Sequence, residues 1–117
     1  MCGIVGYIGP RTAQDFLVEG LRRLEYRGYD SAGTATITAG RHLNITKSVG
    51  RVASLAQEIA AEDCTAGVGI GHTRWATHGA ATIDNAHPHL GGEEVLALAH
   101  NGVIENFAEL RSSLKAR

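Results

Sequence analysis

The groups in this chain able to do chemistry are few and far apart in sequence: a thiol at Cys2, a guanidinium at Arg74 beside the indole of Trp75, the pair Asn101-Gly102, and six histidines. Cys2 directly follows Met1, and a side chain that small permits removal of the initiator. The product would carry a thiol and a free α-amino group on one residue. Such an amine titrates near pKa ~7.7–8.0, so about a tenth of it is an unprotonated base at pH 7. A terminal amine is one established activator of a first-residue nucleophile. The same cysteine equally fits a small residue opening a buried strand.

Arg74 offers a planar fork for one carboxylate, and Trp75 a large surface that excludes water. Together they suit an anionic group, although an arginine paired with a structural acid and a core tryptophan fit the same residues. Asn101 and Gly102 supply a side-chain amide and a backbone N–H that approaches a reacting oxygen without a Cβ in the way, which is an oxyanion hole in outline. Asn-Gly is also a common turn dipeptide. The histidines (His42, His72, His78, His87, His89 and His100) invite a metal, yet none has H-E-x-x-H spacing, Cys64 has no cysteine near it, and only Asp84 brings a carboxylate to the cluster's edge. A metal-binding module is therefore the weaker alternative, and no metal or other cofactor is expected.

These groups need elements to position them. Gly3 to Ile8 reads as a short buried strand ended by Gly9-Pro10, with Cys2 at its edge. Thr12 to Asp15 has capping-box spacing, and Ala13, Phe16, Leu17, Leu21 and Leu24 follow at helical intervals, so a helix is expected to run to about Glu25 with Arg22 and Arg23 solvated. Arg27 to Gly33 is dense in turn formers. Thr34 to Thr38 and His42 to Thr46 flank Ala39-Gly40-Arg41 as a hairpin. Val52, Leu55, Ala56 and Ile59 mark a second helix ending before Glu62-Asp63, with Cys64 structural or incidental. Ala66 to His72 is a glycine-punctuated strand whose glycines do not match G-x-G-x-x-G, which argues against a dinucleotide site. Val95 to His100 reads as a strand covered on both faces. A last helix capped by Asn106 with Glu109 turns Phe107, Leu110 and Leu114 inward.

Composition narrows the class. One domain of mixed sheet and helix layers is the expectation for 117 residues. Eleven Lys and Arg against twelve Asp and Glu leave a formal charge of -1, so no global field draws nucleic acid or an anionic membrane. No apolar run approaches the roughly 20 residues that cross a bilayer, the start lacks a signal-peptide layout, and two cysteines are too few for a disulfide framework, so a cytoplasmic setting is expected. Glycine is the oddity: fifteen of 117 residues, about twice the usual share of ~7%, placed singly within apolar segments as markers of bends or close approaches.

In chain order, Met1 to Gly6, Tyr26 to Gly33 (Tyr26-Arg27-Gly28-Tyr29-Asp30-Ser31-Ala32-Gly33), His72 to Gly79 (His72-Thr73-Arg74-Trp75-Ala76-Thr77-His78-Gly79), Asn85 to His89 and His100-Asn101-Gly102 closely resemble the glutamine–fructose-6-phosphate aminotransferase (isomerising) family. Cys2-Gly3-Ile4 and Arg27-Gly28 alone would fit any class II glutamine amidotransferase. Tyr29, Trp75 to His78 and His87-Pro88-His89 resemble the glucosamine-forming family in particular.

The resemblance implies an α+β fold, the four-layered αββα sandwich of N-terminal nucleophile hydrolases. It implies that Cys2 attacks the side-chain amide of glutamine, releasing ammonia and leaving a γ-glutamyl thioester for water to hydrolyse. Asn101 and Gly102 would hold the oxyanion, Arg74 with Thr77 and His78 would bind glutamine, Trp75 would belong to a closing loop, and Arg27 and His87 would support. It also implies that residues 1–117 form the N-terminal portion of the glutaminase domain, without the aspartate that takes the α-amino group of glutamine. The sugar-phosphate isomerase domain, through which fructose 6-phosphate would act, is expected to be absent. The missing strands would leave an uncovered apolar face that favours a homodimer or a complementary chain. A non-catalytic assembly module and the glutaminase part of another class II amidotransferase are the other readings.

Overall fold

The computed structural model describes residues 1–62 and 65–117. The expectations for Asp63 and Cys64 lie outside the described residues. Strand β1 (Gly3–Ile8) leads to helix α1 (Ala13–Leu24), followed by a 3-10 turn (Glu25–Arg27), strands β2 (Ser31–Ile37) and β3 (Leu43–Val49), helix α2 (Val52–Ala60), strand β4 (Val68–Arg74), strands β5 (His89–Gly91) and β6 (Leu96–Leu98), and helix α3 (Phe107–Lys115). Four strands form an antiparallel sheet in the order β1-β4-β2-β3, and β5 and β6 form a second, two-stranded sheet.

Helices α1 and α2 cover one face of the larger sheet. Leu17, Leu21, Val52 and Leu55 are fully buried there, and full burial of such side chains stabilises by about 1.5–3 kcal/mol each. The glycines of β4 set how close the helix comes. A Cβ at Gly71 would lie 3.1 Å from Leu21 Cδ1, and one at Gly69 would lie 2.9 Å from Leu17 Cδ1, so bare backbone lets α1 rest against the strand. Neither helix uses its own N-terminal side chain as a cap: Thr12 makes no capping bond, contrary to the capping-box spacing, and α1 begins where the Ala13 N–H donates to the Ala66 carbonyl. For α2 the cap is tertiary, the Val52 N–H donating to Glu25 Oε2 at 2.7 Å.

The hairpin is longer than its turn signals predict. Pairing runs from Ser31↔Val49 to Ile37↔Leu43, so Ser31 to Gly33, expected as loop, are strand. Their small side chains are buried by the flanking strands and helices, a tertiary effect that overrides local turn preference. Two further expectations fail for one reason. Val95, Leu96 and Leu98 are 76%, 58% and 60% exposed, not covered on both faces, and Phe107, Leu110 and Leu114 of α3 are also exposed. An apolar stripe specifies a face to be covered; it does not supply the cover. Asn106 sits at the N-cap of α3 but makes no side-chain capping bond.

On the sheet face away from α1, the segment at 85–89 lies against β2 and β4. Gly33 is its seat: a Cβ there would fall 2.2 Å from the His87 carbonyl oxygen. Gly33→Ala is therefore expected to lower stability by about 1–3 kcal/mol through forced displacement of this segment. Gly6→Ala, where nothing lies within 4 Å, should by comparison be tolerated. Urea midpoints of the two variants check this.

Candidate active site

The β1–β4 register runs from Ile8↔Val68 to Gly3↔Thr73. Cys2, one residue before β1, therefore falls beside the end of β4, where Arg74 leads into Trp75. The Trp75 N–H points at Cys2 Sγ with an N–S distance of 3.4 Å, and the thiol lies 3.8 Å from the Trp75 carbonyl oxygen. Gly28 permits a third chain to join this corner, since a Cβ there would sit 2.7 Å from Trp75 Cβ and 3.0 Å from the Met1 carbonyl oxygen. The amine of Met1 donates to the Arg27 carbonyl.

Arg74 is 8% exposed and its fork is engaged. Nη1 donates to the Ala80 carbonyl at 2.9 Å, Nη2 donates to the carbonyls of His78 and, at 3.5 Å, Gly79, and Asp30 Oδ1 lies 3.8 Å from Nη1. Asp30 also accepts from the Ala76 N–H. The arginine and the aspartate thus fold residues 76–80 back over the strand end. Arg74 therefore has the structural acid of one alternative, and it also lines a cavity. Trp75 is half exposed rather than core, with its indole edge-on to Tyr29 at 6.2 Å between centroids.

Cys2, Arg74, Trp75, Thr77, His78, His87 and Gly102 line one cavity of about 180 Å³. An apolar groove of about 600 Å³, lined among others by Leu98, Val103, Ile104 and Phe107, adjoins it and shares His78, His87 and Gly102. Asn101 does not line this cavity; it donates from Nδ2 to the Cys2 backbone carbonyl at 3.3 Å. Gly102 adopts φ +155°, a value in the region side chains disfavour, and a Cβ there would press on the His100 ring at 3.0 Å. Arg27 does not line the cavity; its side chain reaches Met1 Sδ at 3.9 Å, and its Nε is buried without a partner.

The histidines stack instead of converging. The rings of His72 and His87 lie 4.4 Å apart and those of His87 and His89 4.3 Å apart. Among the described residues no group of three or more His, Cys, Asp or Glu is arranged to hold a metal ion. His87 Nδ1 accepts the His100 N–H at 3.2 Å. Burial, then the neighbouring His72, His89, Arg74 and Lys47, push the pKa of His87 down to about 4. Burial also lowers those of His72 and His89. These rings are consequently neutral near pH 7 and act as fixed donors and acceptors.

Sequence reasoning missed Asp30 and the placement of His72. Asp30 stood inside a turn-like segment without a partner in view, and its role depends on Arg74, forty-four residues on. The one signal was its place in the Tyr26 to Gly33 motif that carries the family resemblance.

Comparison with known proteins adds the lineage. No family model matches the chain. The glutamine–fructose-6-phosphate aminotransferases (isomerizing) of Bacteroides thetaiotaomicron and Thermus thermophilus are each 55% identical to it over 117 residues, covering 100% of this chain and 19% of theirs. That of Pyrococcus horikoshii is 52% identical over the same span. The chain matches the N-terminal part of the glutamine–fructose-6-phosphate aminotransferases. It spans about a fifth of the length of these relatives. Among solved structures, the glutamine phosphoribosylpyrophosphate amidotransferase of B. subtilis superposes with a TM-score of 0.80 at 29% identity, covering 99% of this chain and 25% of that one. An allosteric regulatory enzyme of purine biosynthesis gives 0.83, also at 29% identity and with the same coverage. The fold is that of an N-terminal nucleophile glutamine amidotransferase domain, in part: α1 and α2 over the four-stranded sheet, with β5 and β6 as a fragment of the facing layer. Among the described residues no helix is long and apolar enough to cross a membrane.

The depressed histidine pKa values carry a sign. Below pH 6.5 the unfolded chain binds protons that folded His87 refuses until about pH 4, so stability is full above pH 6.5 and falls as the pH drops toward 4. Thermal melts between pH 7 and pH 5 should show this slope, and His87→Asn should flatten it.

Proposed function

We propose that the chain is the glutamine-hydrolysing part of an amidotransferase, using Cys2 as an N-terminal nucleophile. The observation that carries the reading is the convergence of Cys2 with Arg74, Trp75, Thr77, His78, His87 and Gly102 on one cavity, with Asn101 in hydrogen-bonding reach of the Cys2 backbone. The names of the similar proteins support it.

Once Met1 is removed, the Cys2 amine takes the thiol proton as Sγ attacks the side-chain carbonyl carbon of glutamine. The oxygen gains negative charge between Asn101 Nδ2 and the Gly102 N–H. Collapse breaks the C–N bond, and the ammonium form of the amine returns its proton to the leaving nitrogen. Water then cleaves the γ-glutamyl thioester to glutamate and the free thiol. Arg74 exchanges loop carbonyls for the α-carboxylate of glutamine, a charge-assisted pair that can be bidentate. Thr77 and His78, whose side chains lie 3.0 Å apart, assist beside it. Arg27 and His87 support the corner. Transfer of the ammonia to fructose 6-phosphate would take place in a domain outside these 117 residues, in the cytoplasm.

A second reading is favoured by the exposed apolar faces of β6 and α3, namely a polypeptide that works only in association with a second copy or a complementary chain. Ammonia release from glutamine by the isolated chain separates the two.

Mass measurement is expected to show loss of Met1, and a glutamine-like electrophile should label Cys2 and spare Cys64. Retention of Met1 in material that still hydrolyses glutamine would refute the amine as base. Cys2→Ala should abolish turnover, whereas Asn101→Ala should lower kcat by about 10²–10³. Arg74→Ala should act chiefly on KM for glutamine, as steady-state kinetics would read.

A further inference from the structure

The Asn101 side chain can present either its oxygen or its nitrogen to a neighbour, and the two ends have nearly the same shape. Here the choice is forced. The Cys2 carbonyl oxygen can only accept, so the Asn101 atom 3.3 Å from it must be Nδ2. Oδ1 then faces His72 Nε2 at 2.8 Å. Because Oδ1 can only accept, Nε2 must carry a proton. The opposite arrangement would set the amide oxygen against the carbonyl oxygen. It would also move the ring proton to His72 Nδ1, which is buried with no partner. Nδ1 lacks a partner in either tautomer, so the Cys2 carbonyl decides between them.

The ring has no freedom to do otherwise. His72 is fully buried in β4, the strand flanked by β1 and β2, and is stacked on His87. An amide nitrogen has two N–H groups. One goes to the Cys2 carbonyl, and the other remains for a ligand oxygen.

We infer that His72 is a positioning residue for Asn101: its Nε2–H holds Oδ1, and that grip aims the second Nδ2–H of Asn101 at the oxygen that becomes negative when Cys2 attacks. The inference rests on the reading of Asn101 as an oxyanion donor. It assigns His72 no contact with glutamine. Burial keeps the ring neutral, so the device stays set across the neutral pH range.

Two measurements test it on the full chain. Long-range ¹H–¹⁵N correlation of the imidazoles should find His72 with a protonated Nε2 and a bare Nδ1. The opposite tautomer, or rapid exchange between the two, overturns the inference. Kinetics supply the functional arm. His72→Phe should lower kcat for glutamine hydrolysis about 10²-fold, with KM changed less than about twofold, as loss of one oxyanion donor would. His72→Gln, which can still offer an N–H, should recover part of it. In an Asn101→Ala background His72→Phe should cost nothing further; an equal drop in both backgrounds overturns the inference. Alkylation of Cys2 by iodoacetamide should proceed at the same rate in His72→Phe, and a collapsed rate would mean a purely structural role, which also overturns it. Absence of turnover in the unaltered chain refutes the hydrolase reading itself, while the tautomer spectrum decides the hydrogen-bond assignment on its own.

Discussion

The pairing of β1 with β4 is the constraint on which the site depends. Six consecutive antiparallel pairs, from Gly3↔Thr73 to Ile8↔Val68, fix where the first residues of the chain arrive. In a pleated strand a slip of one residue would turn every side chain to the opposite face. Such a slip would send Cys2 away from the Trp75 amide. It is resisted from both edges of β4, because β2 pairs with it over seven positions on the other side, from Ser31↔Arg74 to Ile37↔Val68. A terminal segment is ordinarily the least ordered part of a domain. Here it is an edge strand zipped to a strand that is itself clamped.

Around that frame the chemistry is built from one buried cation and several neutral rings. Burying a guanidinium without partners would be very costly, and Arg74 is surrounded by the carbonyls of His78, Gly79 and Ala80 and by Asp30. Its charge in turn disfavours protonation of His72, His87 and His89. The cavity therefore has a positive focus without diffuse charge. That arrangement suits a small molecule with one carboxylate and a polar, uncharged reacting group better than it suits a polyanion.

The amount legible in the sequence differs by kind of feature. Periodicity marked α1 and α2 nearly to the residue, because each buries an apolar face against the other elements of this chain. Strand β1 has the expected bounds but is not the buried strand expected, since as an edge strand it leaves Ile4 46% and Ile8 82% exposed. It misjudged β6 and α3, whose apolar residues call for a cover that these residues do not form. The site residues were legible as types: a thiol, a guanidinium and an amide–glycine pair in sequence-distant strand ends. Their convergence was not, since it follows from the strand order β1-β4-β2-β3, which no local pattern encodes. Asp30 and His72 meet partners forty-four and twenty-nine positions away, so the motifs that contain them marked the residues without showing what they touch.

The N–H that points at the Cys2 sulfur belongs to the main chain of Trp75, not to a side chain. Conventional alanine scanning would pass over it, because every amino acid except proline supplies the same N–H. Replacing that single peptide linkage with an ester, by chemical synthesis or nonsense suppression with a hydroxy acid, would remove the donor and leave the indole and all neighbouring atoms in place.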